Sequence, residues 1–501
     1  MIDVPSIADL NLTVTFPAVF LALFTMVVLI VDLFIPKDRK IRTAHLTLGG
    51  LVVAFVWNVL VFDSNQTALG GMYIADSFSG FINFIALTAA IITCFLSVDY
   101  LKRTGIEQGE FYSLLLFSTA GVMFMGAASD LIVVFIALEI LSIPLYVMAA
   151  MRYRDAKSEE SGLKYFILGA FASAFFLYGA ALVYGATGTT SLPEIFASVE
   201  GIVATDSGAR LYLVLGAALI FVGLGFKVAV VPFHMWTPDV YEGAPTPVTA
   251  FMSVAAKAGG FAALLRLMVI ALPELTANIG DTIAIWQTTI AIVAAATMIL
   301  GNFVAIVQTN VKRMLAYSSI AHAGYILMGV AAVGTIGVAE EATRAALIYM
   351  LAYTFTNLGA FAVVMALEKD DGSGTQIADF KGLSRSRPLL AVMMAFFMLS
   401  LTGVPTTAGF IGKFLLFGAA LEAGLVLLTI IGVLTSVVSA YYYVRIIVNM
   451  YLEDGEGDPA EGATQYLNYA TYAAFAGTLI IGLFPFLAVN LLDTMMIAGL
   501  F

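Results

Sequence analysis

Lys227, Lys257 and Lys413 each lie inside a long apolar run, and so does the carboxylate of Glu139. An ammonium near a bilayer midplane costs roughly 2.5–3.5 kcal/mol on insertion scales, so ionisable groups found there usually serve ion or proton movement. Desolvation disfavours the charged form of lysine and makes it a usable proton carrier near neutral pH. Glu139 falls about nine residues after Asp130 in LIVVFIALEILSIPLYVMAAM, which at 1.5 Å per residue is roughly mid-bilayer. It reads as a proton-carrying acid or as one that modulates a lysine. The blander alternative is an ion pair or a protonated acid bridging two helices. If Glu139 neighbours Lys227, making and breaking that proximity would switch proton uptake and release. His322 sits among Ser318, Ser319 and Tyr325 in MLAYSSIAHAGYILMG. Histidine titrates near neutral pH, so His322 reads either as a relay between Lys257 and Lys413 or as an interhelical hydrogen-bond donor. His234 lines a polar path or caps a helix end, and His45 falls in a loop. Snorkelling to an interface is the competing account of the lysines, and Lys413 is the shallowest of the three.

The elements that must position these groups are membrane helices. The chain has 501 residues, of which 61% are hydrophobic and 11% charged, and a mean hydropathy of +0.98. A soluble domain carries about 25% charged residues, so the composition indicates an all-α polytopic membrane protein. The net charge of −11 is spread over loops without a basic face, which argues against nucleic acid as a partner. The single cysteine, Cys94, offers no disulfide framework. No cleavable signal stands out, and the first apolar run, Phe16 to Phe34, is long enough to span.

Fourteen candidate spans recur at 16–35, 44–62, 77–98, 111–128, 130–150, 163–186, 209–232, 247–271, 283–305, 312–333, 342–367, 388–424, 426–450 and 467–492. The seventh ends in FKVAVVPFHMW, with Pro232 after Lys227. The twelfth is too long for one straight helix and contains Gly403, Pro405 and Gly409. Both should be broken, and a broken helix at membrane depth is tolerated only where protein or a wet cavity surrounds it. Of the 23 basic residues, 17 fall on one side under this count, in the loops after spans 1, 3, 5, 9 and 11 and near the end of span 13. Arg210, Arg266 and Arg344 fall on the other. Positive-inside bias then places both termini outside. The two broken spans are five positions apart, an odd offset, so these run in opposite directions, as in an inverted repeat. The expected division is 1–110 for three N-terminal helices, 111–272 for a first five-helix repeat, 273–451 for a second, inverted one, and 452–501 for a C-terminal helix.

No cysteine cluster for iron–sulfur centres, phosphate-binding loop or dinucleotide fingerprint is present. The segment FKVAVVPFHMWTPDVYEGAPTPVTAFMSVAAKAGGFAALLR, together with LEILSIPLYVMAAMR, SGLKYFILGAFASAFFLYGAALVYGATG, VKRMLAYSSIAHAGYILMG and LTGVPTTAGFIGKF, resembles the antiporter-like subunits of respiratory complex I. The likeness covers about 110 to 450. FHMWTPDVYEGAP and the SIPLYVM after Glu139 look like the N branch of that family rather than the M branch. The chain also lacks the long C-terminal arm of the L branch.

The resemblance implies a proton-translocating module, with Glu139, Lys227, Lys257 and Lys413 in the family's acid and lysine slots and His322, in the family's SSIAH segment, as a relay member. It implies that the chain binds no cofactor. NAD, FMN, iron–sulfur clusters and quinone would lie elsewhere in the complex. The implied partners are flanking antiporter-like and small membrane-arm subunits and the lipid bilayer, in a bacterial inner membrane or its mitochondrial or chloroplast counterpart. A subunit of a multi-subunit cation/proton antiporter shares the same core and is the rival reading. A purely structural membrane scaffold is a second.

Overall fold

The computed structural model describes residues 10–204, 208–272, 285–335, 337–455 and 464–492. The chain opens with α1 (Leu12–Asp32), α2 (Ile41–Leu60) and α3 (Ser77–Arg103), with a short antiparallel hairpin of β1 (Gln66–Ala68) and β2 (Tyr73–Ala75) before α3. It continues through α4 (Glu110–Ala127), α5 (Leu131–Ala149) and α6 (Ala156–Thr187). A connector, α7 (Leu192–Ala204), buries Leu192, Ile195 and Val199 at helical spacing and leads to α8 (Gly208–Val228). Then come the short α9 (Thr237–Gly243) and α10 (Thr246–Arg266). The remaining helices are α11 (Ile285–Ile306), α12 (Val311–Val333), α13 (Ala339–Leu367), α14 (Pro388–Thr402), α15 (Ala408–Glu422), α16 (Val426–Leu452) and α17 (Gln465–Leu483).

Twelve of these helices are long and apolar enough to cross a membrane. The interrupted α14–α15 pair and the 19-residue α17 account for the other two expected spans, so the chain is an all-α, multi-pass membrane protein. The expected starts of the second repeat at 273 and of the ninth span at 283 lie outside the described residues. Side-chain caps mark several starts. Asp76, Asp130, Asp155 and Asn310 each accept a backbone N–H of the first turn they precede, at 2.7–3.1 Å, filling donors that a helix N-terminus leaves open.

Burial sorts the helices by position. The apolar stretch of α10 is 100% buried and those of α12 and α13 are nearly so, whereas α6, α11 and α16 keep most of theirs exposed. The inner three therefore form the axis of the molecule, and the outer ones offer apolar faces of the kind lipid or a neighbouring subunit covers. Small residues let α10 into the centre. A Cβ on Gly260 would sit 2.7 Å from Val228 Cγ1. The helix is also irregular, with π turns at Met252–Ala256, just before Lys257, and at Leu267–Ala271.

Arg266, expected towards the outer side of the span 247–271, is not solvated there. It is fully buried and pairs in bidentate fashion with Asp76 at 2.7 and 2.6 Å, both side chains being 0% exposed. Its Nε donates to the Gly126 carbonyl at 3.0 Å, and its guanidinium lies 4.8 Å over the Phe78 ring. One side chain thus ties the C-terminal end of α10 to the start of α3 and the end of α4. At the opposite end, Lys164 and Arg313 both reach Asp239 of α9, at 2.6 and 2.7 Å, while Lys157 and Arg313 reach Glu242 at 3.0 and 3.2 Å. Partial burial lifts the Asp239 carboxyl, but the hydrogen bonds from Lys164 and Arg313 outweigh it and hold the group below the usual carboxylate range. This clamp is therefore intact at neutral pH and weakens only as pH falls through that depressed value.

Asp76→Ala should destabilise the protein by about 3–5 kcal/mol, because it leaves a buried guanidinium without its counter-ion. Asp76→Leu combined with Arg266→Met should cost much less. Thermal unfolding in detergent distinguishes the two, and equal losses would contradict the assignment.

Candidate functional site

Lys227 occupies the last turn of α8, where the chain leaves the helix. Its Nζ donates to Ser142 Oγ at 2.8 Å and to Tyr165 OH at 3.2 Å. Trp236 folds back over the break. Its indole donates to the Phe226 carbonyl at 3.0 Å and stacks on Tyr165 with centroids 4.4 Å apart and planes within 8°. The broken end of α8 is thereby plugged by an aromatic pair whose phenol also holds the lysine. Glu139 lies one turn before Ser142 on α5, half-buried, and accepts a hydrogen bond from Ser173 on α6. It is close enough to act electrostatically on Lys227, yet among the described residues it forms no ion pair. The two groups are brought together without being joined, with Ser142 between them.

The stem of Lys227 packs on α10, where a Cβ at Gly260 would lie 3.4 Å from Lys227 Cγ. One turn away along the same helix is Lys257, whose Nζ donates to the Ser319 carbonyl of α12 at 2.5 Å. His322 follows Ser319 by one turn. Its Nδ1 pairs with Tyr349 OH at 2.5 Å and its Nε2 with Tyr443 OH at 3.0 Å, and Tyr443 OH in turn meets Ser318 Oγ. Both Lys257 and Lys413 act electrostatically on the imidazole. The ring of Tyr325, one turn further on, carries Lys413 Nζ 4.9 Å above it. Ser319, His322 and Tyr325 thus form an i, i+3, i+6 stripe on α12, with Lys257 at one end and Lys413 at the other. A cavity of about 10 Å³, lined by His322, Tyr349, Tyr353, Ser400 and Leu401, is close to the volume one water needs.

Lys413 has each of its three donors filled. It reaches the Leu401 and Thr402 carbonyls and Ser436 Oγ, all at 2.9 Å. Those carbonyls are the last of α14, whose open end carries partial negative charge. Gly403, at φ +91°, turns the chain out of the helix in a conformation that suits glycine. The break therefore supplies a lysine-binding site made of backbone. Lys413 is as deeply buried as Lys227 and Lys257, so snorkelling is overturned for all three. His234 keeps its Nδ1 buried without a hydrogen-bond partner among the described residues, and His45 lies within α2 rather than in a loop, contacting Tyr466 OH at 3.0 Å, away from the lysines.

Five of the partners were invisible to sequence reasoning: Ser142, Tyr165, Tyr349, Tyr443 and Ser436. Spacing offered a hint only for Ser142, which is three residues from Glu139. The others come from distant helices, and serines and tyrosines in apolar runs are too common to single out.

Residues 128–439 match the family of NADH:quinone oxidoreductase/Mrp antiporter transmembrane proteins. The NADH-quinone oxidoreductase subunit N of Chloroflexus aggregans is 44% identical over 487 residues, 96% of this chain and 96% of that protein. Its counterpart in Trichlorobacter lovleyi is 46% identical over 480 residues, 95% of each. Among solved structures, a chain of Thermus thermophilus respiratory complex I with bound aureothin superposes with TM-score 0.78 at 35% identity, covering 95% of this chain and 98% of that one. A chain of the Mrp complex from a Dietzia species superposes with TM-score 0.81 at 21% identity, covering 96% and 98%. The latter shows a common fold.

The α14–α15 crossing can be tested through its glycines. A Cβ on Gly409 would lie 1.8 Å from the Ser400 carbonyl oxygen, whereas one on Gly418 of the same helix meets nothing within 4 Å. Gly409→Ala should cost at least about 1–3 kcal/mol, and Gly418→Ala should be neutral or slightly stabilising. Thermal unfolding of the two purified variants gives the comparison.

Proposed function

We propose that this chain, which belongs to the NADH:quinone oxidoreductase/Mrp antiporter family and groups there with the N subunits of NADH-quinone oxidoreductase, is a proton-translocating module of a redox-driven membrane complex. It would sit in the bacterial inner membrane, with the basic loops on the cytoplasmic side and other membrane-arm subunits beside it. NADH, flavin, iron–sulfur clusters and quinone would be handled by other chains, and this one would contribute no redox chemistry.

The observation that supports this most is the succession of titratable groups across the interior, from the half-buried Glu139 through the buried Lys227, Lys257 and His322 to Lys413. In the proposed mechanism a proton is taken up near Glu139 and Lys227. Pairing with Glu139 would stabilise the Lys227 ammonium. On the neutral oxygens of Ser142 and Tyr165 it has no counter-ion, which favours passing the proton on. Lys257 receives it and hands it to His322, whose two nitrogens each face a tyrosine hydroxyl able to donate or accept. Lys413 is the release group, steadied in its charged form by the open end of α14. The division into 1–110, inverted repeats 111–272 and 273–451, and 452–501 belongs to the same proposal. Its support is that each interrupted crossing carries a lysine beside the break.

Lys227→Ala in the assembled complex should lower NADH-driven proton translocation into vesicles by on the order of a hundredfold, the low end of what a positioned proton-transfer group contributes. Normal pumping with normal assembly would overturn the reading. Isolation of the chain without NADH dehydrogenase subunits, and with cation/proton exchange instead, would favour the antiporter alternative.

A further inference from the structure

On the side of the basic loops the structure holds a vestibule of about 720 Å³, lined among others by Arg152, Glu242, Lys312, Glu368 and Lys381. At its floor Glu368 is 1% exposed and fully engaged. Its Oε1 accepts from Tyr100 OH at 2.9 Å and from Arg152 at 3.3 Å, and its Oε2 accepts from Thr246 Oγ1 at 2.5 Å. Arg152 also donates to Tyr100 OH at 2.8 Å, and Lys312 Nζ donates to the Ala244 carbonyl at 2.8 Å. None of these residues belongs to the line from Glu139 to Lys413. Thr246 is the first residue of α10, and α10 carries Lys257.

Between Thr246 and Lys257 the polar residues of α10 are Thr249 and Ser253. Positions 246, 249 and 253 fall on one face of a helix, and the π turn at Met252–Ala256 leads from them to Lys257. The facing wall is polar as well. Asn357 of α13 donates to Ser253 Oγ at 2.6 Å, and Thr249 Oγ1 donates to the Tyr241 carbonyl at 3.0 Å. Four buried atoms along this seam have no hydrogen-bond partner among the described residues: Asn357 Oδ1, Tyr353 OH, Tyr241 OH and Ser319 Oγ. Both tyrosine hydroxyls face Ser319 Oγ within interacting reach but short of good hydrogen-bond geometry, and Ser319 is the residue whose carbonyl holds Lys257. Buried polar atoms left unmatched cost about 1–3 kcal/mol each. Four of them converging along one seam mark a place suited to bridging water.

We infer that Glu368 is the loading group of a second proton inlet, which runs from the basic-loop vestibule along Thr246, Thr249, Ser253 and Asn357 to Lys257 without passing Glu139 or Lys227. This rests on the proton-translocating reading above. The carboxylate takes a proton from the vestibule, with Arg152 and Tyr100 holding it at the mouth. The proton then moves over hydroxyls and bridging water, each step making one O–H bond as another breaks, until it reaches the Lys257 amine.

The test uses the assembled complex in proteoliposomes, with NADH-driven proton uptake and NADH oxidation followed together. Asn357→Leu and Ser253→Ala interrupt the seam away from the vestibule, and Glu368→Gln removes the loading group while keeping an acceptor for Thr246 and Tyr100. All three should slow proton uptake several-fold with assembly intact, and the double variant Glu368→Gln/Asn357→Leu should be no slower than the worse single one. Normal uptake in Asn357→Leu and Ser253→Ala, alongside strong loss in Lys257→Met, would overturn the inlet while leaving the translocation reading in place. Normal uptake in Lys257→Met as well would overturn both.

Discussion

Everything in this protein is arranged around a helix whose apolar stretch is wholly enclosed by the other helices. The fully buried α10 must satisfy its charged residues and its ends from within. It does so with Arg266 locked onto Asp76 at one end and Thr246 held by Glu368 at the other. Burying an ion pair gains little over a packed apolar contact, but its geometry admits few alternatives. With both ends fixed, α10 sets the depth of Lys257 and gives α8 and α12 a common surface, on which Lys227 and His322 are placed relative to one another.

The two interrupted crossings meet the same constraint differently. At the end of α14 the free carbonyls take Lys413 directly, so the charge and the broken backbone satisfy each other. At the end of α8 the Phe226 carbonyl is taken by the Trp236 indole, and Lys227 is left to the hydroxyls of Ser142 and Tyr165. One lysine thus rests on fixed dipoles and the other on rotatable side chains beside a carboxylate. The two lysines therefore sit in different surroundings, with hydroxyls that can reorient at Lys227 and fixed carbonyls at Lys413.

Much of this was legible in the sequence, because a bilayer permits so few architectures. The apolar runs marked the helices, Pro232 and the Gly403–Gly409 segment marked the breaks, and the cost of burying Lys227, Lys257, Lys413 and Glu139 marked the site. Hydropathy says how much a segment avoids water but not which neighbour covers it. Arg266 therefore read only as a basic residue towards the outer side of its span, although it is among the most buried side chains present, and Glu368 fell in the loop after the eleventh span rather than on the floor of a vestibule. The tyrosines around His322 come from α13 and α16, and only the packed structure brings them together.

The π turn at Met252–Ala256 has a consequence for how the gene can change. It adds a residue to one turn, and every position beyond it is rotated by about 100° relative to a regular helix. The direction in which Lys257 and Arg266 point, relative to Thr246 before the turn, therefore depends on that extra residue. The segment can accept many replacements of similar size. A one-codon deletion would turn both basic side chains away from their partners at once. Its length is under tighter constraint than most of its letters.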